Sequence, residues 1–325
     1  MIDIARAFWT VAPGRGEIRA ETLTEPGAGE VLVRTSYSAI SRGTESLVFR
    51  GHVPQSEYQR MRCPHQVGEF PGPLKYGYAN VGVVELGPPE LLKRAVFCLF
   101  PHQSAYVVPA SAVCPIPFTV PPERAILAAN VETAINALWD AEPRLGDRVT
   151  VVGAGVLGCL CAYLLARQIG VVVELVDVLP ERAAVARSLG ARFSLPNQAE
   201  PERDLVIHTS ASEAGLRTSL ELAAADATVL ELSWFGDTEV SLPLGGGFHK
   251  KRLALRSSQV GTLSPHARRR FDYRARLELA LALCSDPLLG NVIDAESSFE
   301  ALPELMPRLT APGASALCQR IRYDN

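Results

Sequence analysis

The chain has 325 residues, 47% hydrophobic and 21% charged, with a formal net charge of −3. That length suits two domains with full-sized cores, and the slight negative charge excludes a global positive field for nucleic acid or an acidic membrane. Its seven cysteines, odd in number and scattered, exclude the dense pairing of a small secreted disulfide scaffold.

Residues 1–122 hold short strand-like runs, VLVRTSYSAI, NVGVVEL, AVFCLF and SAYVVP, punctuated by Gly and Pro. This predicts an irregular, mostly antiparallel β domain. The first run ends in ISRGTE, where a strand is expected to give way to a polar loop carrying Ser41, Thr44 and Glu45. Residues 51–75 form a long, Pro-rich polar segment, of the kind that in a compact domain is functional or mobile. Within it, Cys63-Pro-His65 with Glu69 nearby is a candidate metal set, although one Cys-x-His pair lacks the second ligand pair that makes zinc spacing specific.

From Pro121-Pro122 the character changes. PPERAILAANVETAINALWDAEP, with its apolar positions 127, 131, 135, 138 and 139, predicts a helix with one buried stripe. Strand and helix patterns then alternate: DRVTVVGAG, VLGCLCAYLLARQIG, VVVELVDV, PERAAVARSLGA, RDLVIHTSAS, EAGLRTSLELAAA and ATVLELSWFG. β-Branched runs separated by helices predict a doubly wound parallel sheet over residues 123–262. RLALRSSQV reads as its last strand, at the sheet edge. Over residues 263–325 the alternation stops, leaving two helices and a terminal strand, ALCQRIRY.

The most specific motif is VTVVGAGVLG. Glycines at 153, 155 and 158 follow a strand and open a helix, and Asp177 ends the next strand. Gly153 permits the tight turn, Gly155 lets the backbone approach a pyrophosphate, and Gly158 lets helix pack on strand. The helix start at Val156 and Leu157 offers unpaired N–H groups to phosphate. Asp177 suits a free ribose 2′-hydroxyl and repels a 2′-phosphate, so NAD is expected over NADP. Ser210, Ser233 and Ser258, close after the later strands, are the remaining expected cofactor contacts. His208 either touches the cofactor or caps its strand.

GDRVTVVGAGVLG, VDVLPERAAVARSLGA and YANVGVVELG together resemble the medium-chain dehydrogenase/reductase superfamily, which includes the zinc alcohol dehydrogenases. The resemblance spans essentially the whole chain. It implies an α/β protein with a GroES-like β domain, completed by the C-terminal segment, plus a Rossmann domain, with substrate in the cleft between them. It also implies a homodimer, paired across the RLALRSSQV edge. The family's catalytic zinc ligands fall here on Ser41, on Tyr78 of YGYAN, and near Ala129, with Glu132 the closest acid. The four-cysteine structural zinc lobe is missing. Neutral hydroxyls are poor zinc ligands beside thiolate and imidazole. A zinc-lacking branch is therefore implied, similar to the hydroxyethyl-chlorin dehydrogenases of bacteriochlorophyll synthesis.

Without a metal, the oxygen that gains charge during alcohol oxidation needs hydrogen-bond donors. Tyr78 is the expected donor and acid/base, Ser41 and Thr44 would relay its proton, and Glu45 and Glu132 would orient the donors or serve as base. Each has a plainer reading. Tyr78 could be a buried aromatic with a satisfied hydroxyl, Glu45 a loop-fixing side chain, and Glu132 a solvated one. The basic run HARRRFDYRAR, 266–276, reads as a solvated helix start or as a site for an anionic substrate group.

The expected function is a zinc-independent, NAD(H)-dependent oxidoreductase interconverting a secondary alcohol and a carbonyl on a fairly bulky small molecule. The alternatives are an NADPH-dependent quinone or enone reductase and a non-catalytic dinucleotide-binding protein. No stretch reaches the roughly 18 apolar residues of a membrane span, and MIDIARAFWT lacks signal-peptide character. A cytoplasmic protein with no membrane partner is expected.

Overall fold

In the computed structural model, which describes residues 4–324, the chain divides into two compact units. One is built from Met1–Ala129, Leu281–Asp286 and Ile293–Asn325, the other from Asn130–Ala280 and Pro287–Val292. The sequence places the joint at 122 and the return at 263; the units divide instead at Ala129 and at Leu281. Residues 263–280 stay with the second unit because Arg276, buried to 2% exposure, bonds Asn136 and the Val260 carbonyl there.

In the first unit a seven-stranded sheet runs Ile293–Ser298, Cys318–Arg322, Glu30–Ile40, Asn80–Leu86, Ala95–Cys98, Val113–Pro115, with Ala105–Pro109 also paired to Glu30–Ile40. Pairing is antiparallel except between Ile293–Ser298 and Cys318–Arg322. Alternation along Glu30–Ile40 sends Val31 and Val33 into a core with Val84, Val96 and Tyr106, while Leu32 packs with Ala5 and Ala105. A smaller sheet carries Arg15–Thr22, Ile4–Ala12, Leu74–Lys75 and Val67–Gly68. Cys318–Arg322 pairs with Glu30–Ile40, placing Ile321 opposite Ser38. Phe299, Leu302, Met306 and Tyr323 close over Phe8, Ile40 and Phe49. The C-terminal segment thus completes the β unit.

One expectation is overturned here. ISRGTE does not open a loop: Ser41 stands just before the first residue of a helix, Arg42–Arg50. Its poor formers, Gly43 and Thr44, are overridden by burial of Val48 and Phe49 at the other end. The helix predicted over 121–143 is likewise two, Pro122–Ala125 and Ala128–Ala141.

The second unit is a six-stranded parallel sheet in the order Arg192–Ser194, Val172–Val176, Arg148–Val152, Arg203–His208, Ala223–Glu231, Ala254–Ser257. Chain order reverses beside Arg148–Val152, so the glycine loop leaves the sheet at the topological switch point, where such folds bind ligands. Among the described residues no helix is long and apolar enough to cross a membrane.

Candidate active site and dinucleotide loop

Ser41 ends the strand Glu30–Ile40 and begins the next helix, so its position is fixed from both sides. Its hydroxyl makes no capping bond. Glu45, one turn on, folds back instead, and its Oε1 accepts the Ser41 N–H at 2.7 Å. This satisfies one orphan donor of the helix start, so Glu45 fixes backbone at this turn. Tyr78 brings its phenol to the same place, where Ser41 and Thr44 hydrogen-bond it. Burial, and then the negative charge of Glu45, push the Tyr78 phenol well above the ordinary tyrosine range, more than those two hydroxyls offset. Tyr76 packs edge-on against the Tyr78 ring at 6.1 Å. Ser41, Thr44, Glu45 and Tyr78 therefore form one cluster.

Behind it lies a group that sequence reasoning missed. His102, 1% exposed, places Nε2 2.9 Å from Glu45 Oε2 and Nδ1 2.7 Å from Ser38 Oγ. Ser38 Oγ in turn lies 3.0 Å from the Tyr323 hydroxyl. The available signal was the imidazole of CLFPHQSAY, in the segment where the family's zinc lobe is absent.

Glu132 lies in the second unit and is committed to a buried ion pair: Arg276 Nε donates to its Oε1 at 3.0 Å, with both side chains under a tenth exposed. Burial raises its carboxyl above the usual range, opposed by the Arg276 charge. The solvated reading of Glu132 is thus corrected. The basic run divides similarly, Arg276 being internal while Arg268, Arg269 and Arg270 are exposed.

The Cys63 loop gathers no metal set. Burial pushes the Cys63 thiol up to about 12. The His65 ring packs tilted against Phe100, centroids 5.2 Å apart, and Glu69, mostly exposed, pairs with Arg62. Among the described residues no group of three or more His, Cys, Asp or Glu side chains could hold a metal ion. The zinc that the family implies meets protonated hydroxyls at Ser41 and Tyr78, a donor set that does not fit it.

The dinucleotide loop has the geometry its glycines require. Gly153 has φ +108°, and a Cβ there would lie 2.8 Å from Ser210 N. A Cβ on Gly158 would fall 1.8 Å from the Gly153 carbonyl oxygen, whereas one on Gly155 would meet nothing within 4 Å. The helix Val156–Leu165 starts from Gly155 without a side-chain cap, leaving the N–H groups near Val156 and Leu157 for a ligand. Asp177 accepts from Ala154 N at 2.6 Å and from Leu179 N at 2.9 Å. A carboxylate has about four acceptor sites, so two remain for ribose hydroxyls. The residues present fit a dinucleotide.

Ser210 and Ser233 meet at His208, which is wholly buried. Ser210 Oγ lies 2.6 Å from His208 Nε2, and Glu231 Oε2 lies 2.6 Å from Nδ1. Ser233 Oγ accepts from Ala211 N at 3.0 Å and stands 3.4 Å from Nδ1. Ser258 is elsewhere engaged, donating to Asp140 Oδ2 at 2.6 Å.

A two-unit chain of this order, a GroES-like β unit closed by the C-terminal segment and a Rossmann unit with its glycine loop at the switch point, has the fold of the medium-chain dehydrogenase/reductase superfamily, as the resemblance read from the sequence implies. No family model matches the chain. It is 29% identical over 249 residues to the 2-desacetyl-2-hydroxyethyl bacteriochlorophyllide A dehydrogenase of Rhodobacter capsulatus, covering 70% of this chain and 73% of that one. It is 25% identical over 284 residues to the starvation-sensing protein RspB of Escherichia coli, covering 76% and 81%. Among solved structures, L-idonate 5-dehydrogenase from Escherichia coli superposes with a TM-score of 0.80 at 16% identity, covering 99% of each chain. The RspB protein of Escherichia coli, solved with NADH, superposes with a TM-score of 0.76 at 17% identity, covering 98% of this chain and 99% of that one.

Proposed function

We propose that the chain is a zinc-independent, NAD(H)-dependent oxidoreductase that interconverts a secondary alcohol and a carbonyl. The observation behind this reading is the Tyr78–Ser41–Thr44 hydroxyl cluster, which includes two of the positions, Ser41 and Tyr78, to which the family resemblance assigns metal ligands, on a chain that also holds the Gly153–Gly158 loop. The nicotinamide, when bound, accepts or returns the hydride. The protein's task is one proton and one developing charge. Tyr78, held protonated by burial and by Glu45, would donate to the substrate oxygen in the reducing direction and take the proton back in oxidation. Ser41 and Thr44, bonded to the phenol, would stabilise it when it carries charge and pass the proton on.

Asp177 supports NAD over NADP, since a carboxylate at the end of the second strand accepts from a free ribose 2′-hydroxyl and repels a 2′-phosphate. A bulky alcohol is inferred from the Rhodobacter capsulatus relative, named for a hydroxyethyl bacteriochlorophyllide. A homodimer is inferred from the edge strand Ala254–Ser257, exposed along its length with Leu255 at 39%.

Fluorescence titration with NADH and NADPH, metal analysis of the purified protein, and turnover on a panel of secondary alcohols and ketones test the reading together. Tight NADH binding, no stoichiometric zinc and turnover lost in Tyr78→Phe are the expected results. One zinc per chain needed for turnover would overturn the metal-free reading, and NADPH bound more tightly than NADH would overturn the cofactor assignment.

A further inference from the structure

The strand Arg203–His208 ends in a constellation that the proposed proton handling does not use. His208 is wholly buried, and its ring nitrogens are engaged on opposite sides. Nδ1 lies 2.6 Å from Glu231 Oε2, and Nε2 lies 2.6 Å from Ser210 Oγ. Glu231 is fixed in turn, its Oε1 accepting from Ser233 N at 2.6 Å. A carboxylate only accepts, so Nδ1 carries the hydrogen of its bond, and an imidazole so engaged offers its lone pair at Nε2 to the Ser210 hydroxyl. Carboxylate, imidazole and serine stand in one row, the arrangement by which a fixed imidazole sets the direction of a hydroxyl. With the Ser210 hydrogen on Nε2, the hydrogen of its 2.8 Å bond to Ser212 Oγ comes from Ser212. A hydroxyl has one hydrogen and two lone pairs, so one lone pair is left on Ser210, a half-buried side chain.

The surrounding backbone is shaped to keep this row. Gly215 sits in the first turn of the helix Glu213–Leu222, and a Cβ there would come within 2.1 Å of Ser210 Oγ and 2.8 Å of His208 Nε2. A glycine costs helix stability; here it lets the helix lie on the row. Ala211 has φ +52°, where a side chain is strained, and Ser233 Oγ holds that turn by accepting the Ala211 N–H. On the other side, a Cβ on Gly153 would lie 2.8 Å from Ser210 N, and Thr209 Oγ1 donates to the Gly153 carbonyl at 2.8 Å. Ser210 thus stands against the first glycine of the dinucleotide loop. Asp177 and Ser210 flank that loop on opposite sides, just beyond Val172–Val176 and Arg203–His208, the two sheet neighbours of Arg148–Val152.

We infer that Ser210 accepts a hydroxyl of the dinucleotide's second ribose, the one remote from Asp177, and that His208, with Glu231 behind it, is a positioning residue that aims the Ser210 lone pair. This rests on reading the glycine loop as a dinucleotide site. A dinucleotide with its pyrophosphate on the loop and one ribose at Asp177 extends its other half over the opposite flank. A lone pair there recruits a hydrogen-bond donor. A ribose hydroxyl qualifies, and an ionised phosphate, which only accepts, does not. His208, wholly buried, does not meet the ligand and acts through Ser210.

Calorimetric titration of the full chain with ADP and with ADP-ribose isolates the contact, since the two ligands differ by the second ribose. The parent is expected to bind ADP-ribose more tightly than ADP. Ser210→Ala is expected to lower ADP-ribose affinity about two- to tenfold, the worth of one hydrogen bond, and to leave ADP affinity unchanged. His208→Asn, whose amide replaces Nδ1 but does not reach Ser210, is expected to do the same. His208→Gln, whose amide reaches the Nε2 place, is expected to keep the parent's ratio. Because His208 acts through Ser210, the double variant Ser210→Ala/His208→Asn is expected to lose no more than Ser210→Ala alone. Gly215→Ala improves helix propensity while its methyl drives the Ser210 hydroxyl off Nε2. It is expected to repeat the loss, and it keeps the test open if the His208 variants do not fold. A ratio unmoved in Ser210→Ala or Gly215→Ala overturns the inference, as do equal losses for both ligands or additive losses in the double variant. A loss in His208→Gln as large as in His208→Asn also overturns it. A parent that binds ADP and ADP-ribose equally overturns it with the loop assignment left standing, whereas a parent that binds neither sinks the dinucleotide reading itself.

Discussion

Two glycines three residues apart in the dinucleotide loop should respond oppositely to the same added methyl group. At Gly158 a Cβ would sit 1.8 Å from the Gly153 carbonyl oxygen and 2.7 Å from Thr209 Oγ1. The first is backbone at the end of a buried strand, so the helix must shift, at an overpacking cost of about 1–3 kcal/mol or more. Gly155 has φ −72° and ψ −178°, open to any residue, and a Cβ there meets nothing within 4 Å. Gly155→Ala should therefore leave stability unchanged or raise it by about 0.4–1 kcal/mol, by restricting the unfolded chain. Its methyl would nevertheless fill the space through which a pyrophosphate approaches the helix start. Each 1.4 kcal/mol lost in that contact is about tenfold in Kd, and a weakening of at least that size is expected. Urea unfolding and NADH fluorescence titration of both variants supply the check. A Gly155→Ala protein that binds NADH as the parent does would refute the assignment of this loop to the pyrophosphate. A Gly158→Ala protein of unchanged stability would refute the packing argument.

Three other outcomes follow from the same geometry. Tyr78→Phe should lower kcat by about 10²–10⁴, with NADH affinity kept, as steady-state kinetics and titration would show. Asp177→Ala should weaken NADH about tenfold and narrow the NADH/NADPH ratio, read by parallel titrations; an unchanged ratio would remove Asp177 from ribose recognition. Arg276→Met strands Glu132 as an uncompensated buried charge, at a cost of about 3–5 kcal/mol. Because burial already raises the Glu132 carboxyl and Arg276 restrains that rise, the variant's folded-state value climbs further above the unfolded one. Its penalty is then largest above the folded value and shrinks as pH falls towards the unfolded one. Unfolding curves at neutral and acidic pH should show the deficit closing in acid.

The sequence by itself determined the parallel sheet, the glycine loop and the acid that follows it, because these are local signals. β-Branched runs, helix periodicity and three glycines at fixed offsets are set by neighbouring residues, and the Gly153–Gly158 turn forms from them alone. It also offered Ser41, Thr44, Glu45 and Tyr78 as candidates, Ser41 and Tyr78 through the resemblance and the other two as polar neighbours of Ser41 in ISRGTE. What it left undecided was every partnership made across the chain. Glu45 and His102 are 57 residues apart, Ser38 and Tyr323 are 285 apart, and Glu132 and Arg276 are 144 apart. Strand register and core packing bring these side chains together, and no periodicity encodes them. Glu132, with a face pattern that fits solvent, became half of a buried ion pair only because Arg276 packs beside it. ISRGTE turned from loop to helix for the same reason. Its first residues are weak helix formers, and burial of Val48, and of Phe49 against the C-terminal segment, decided the matter.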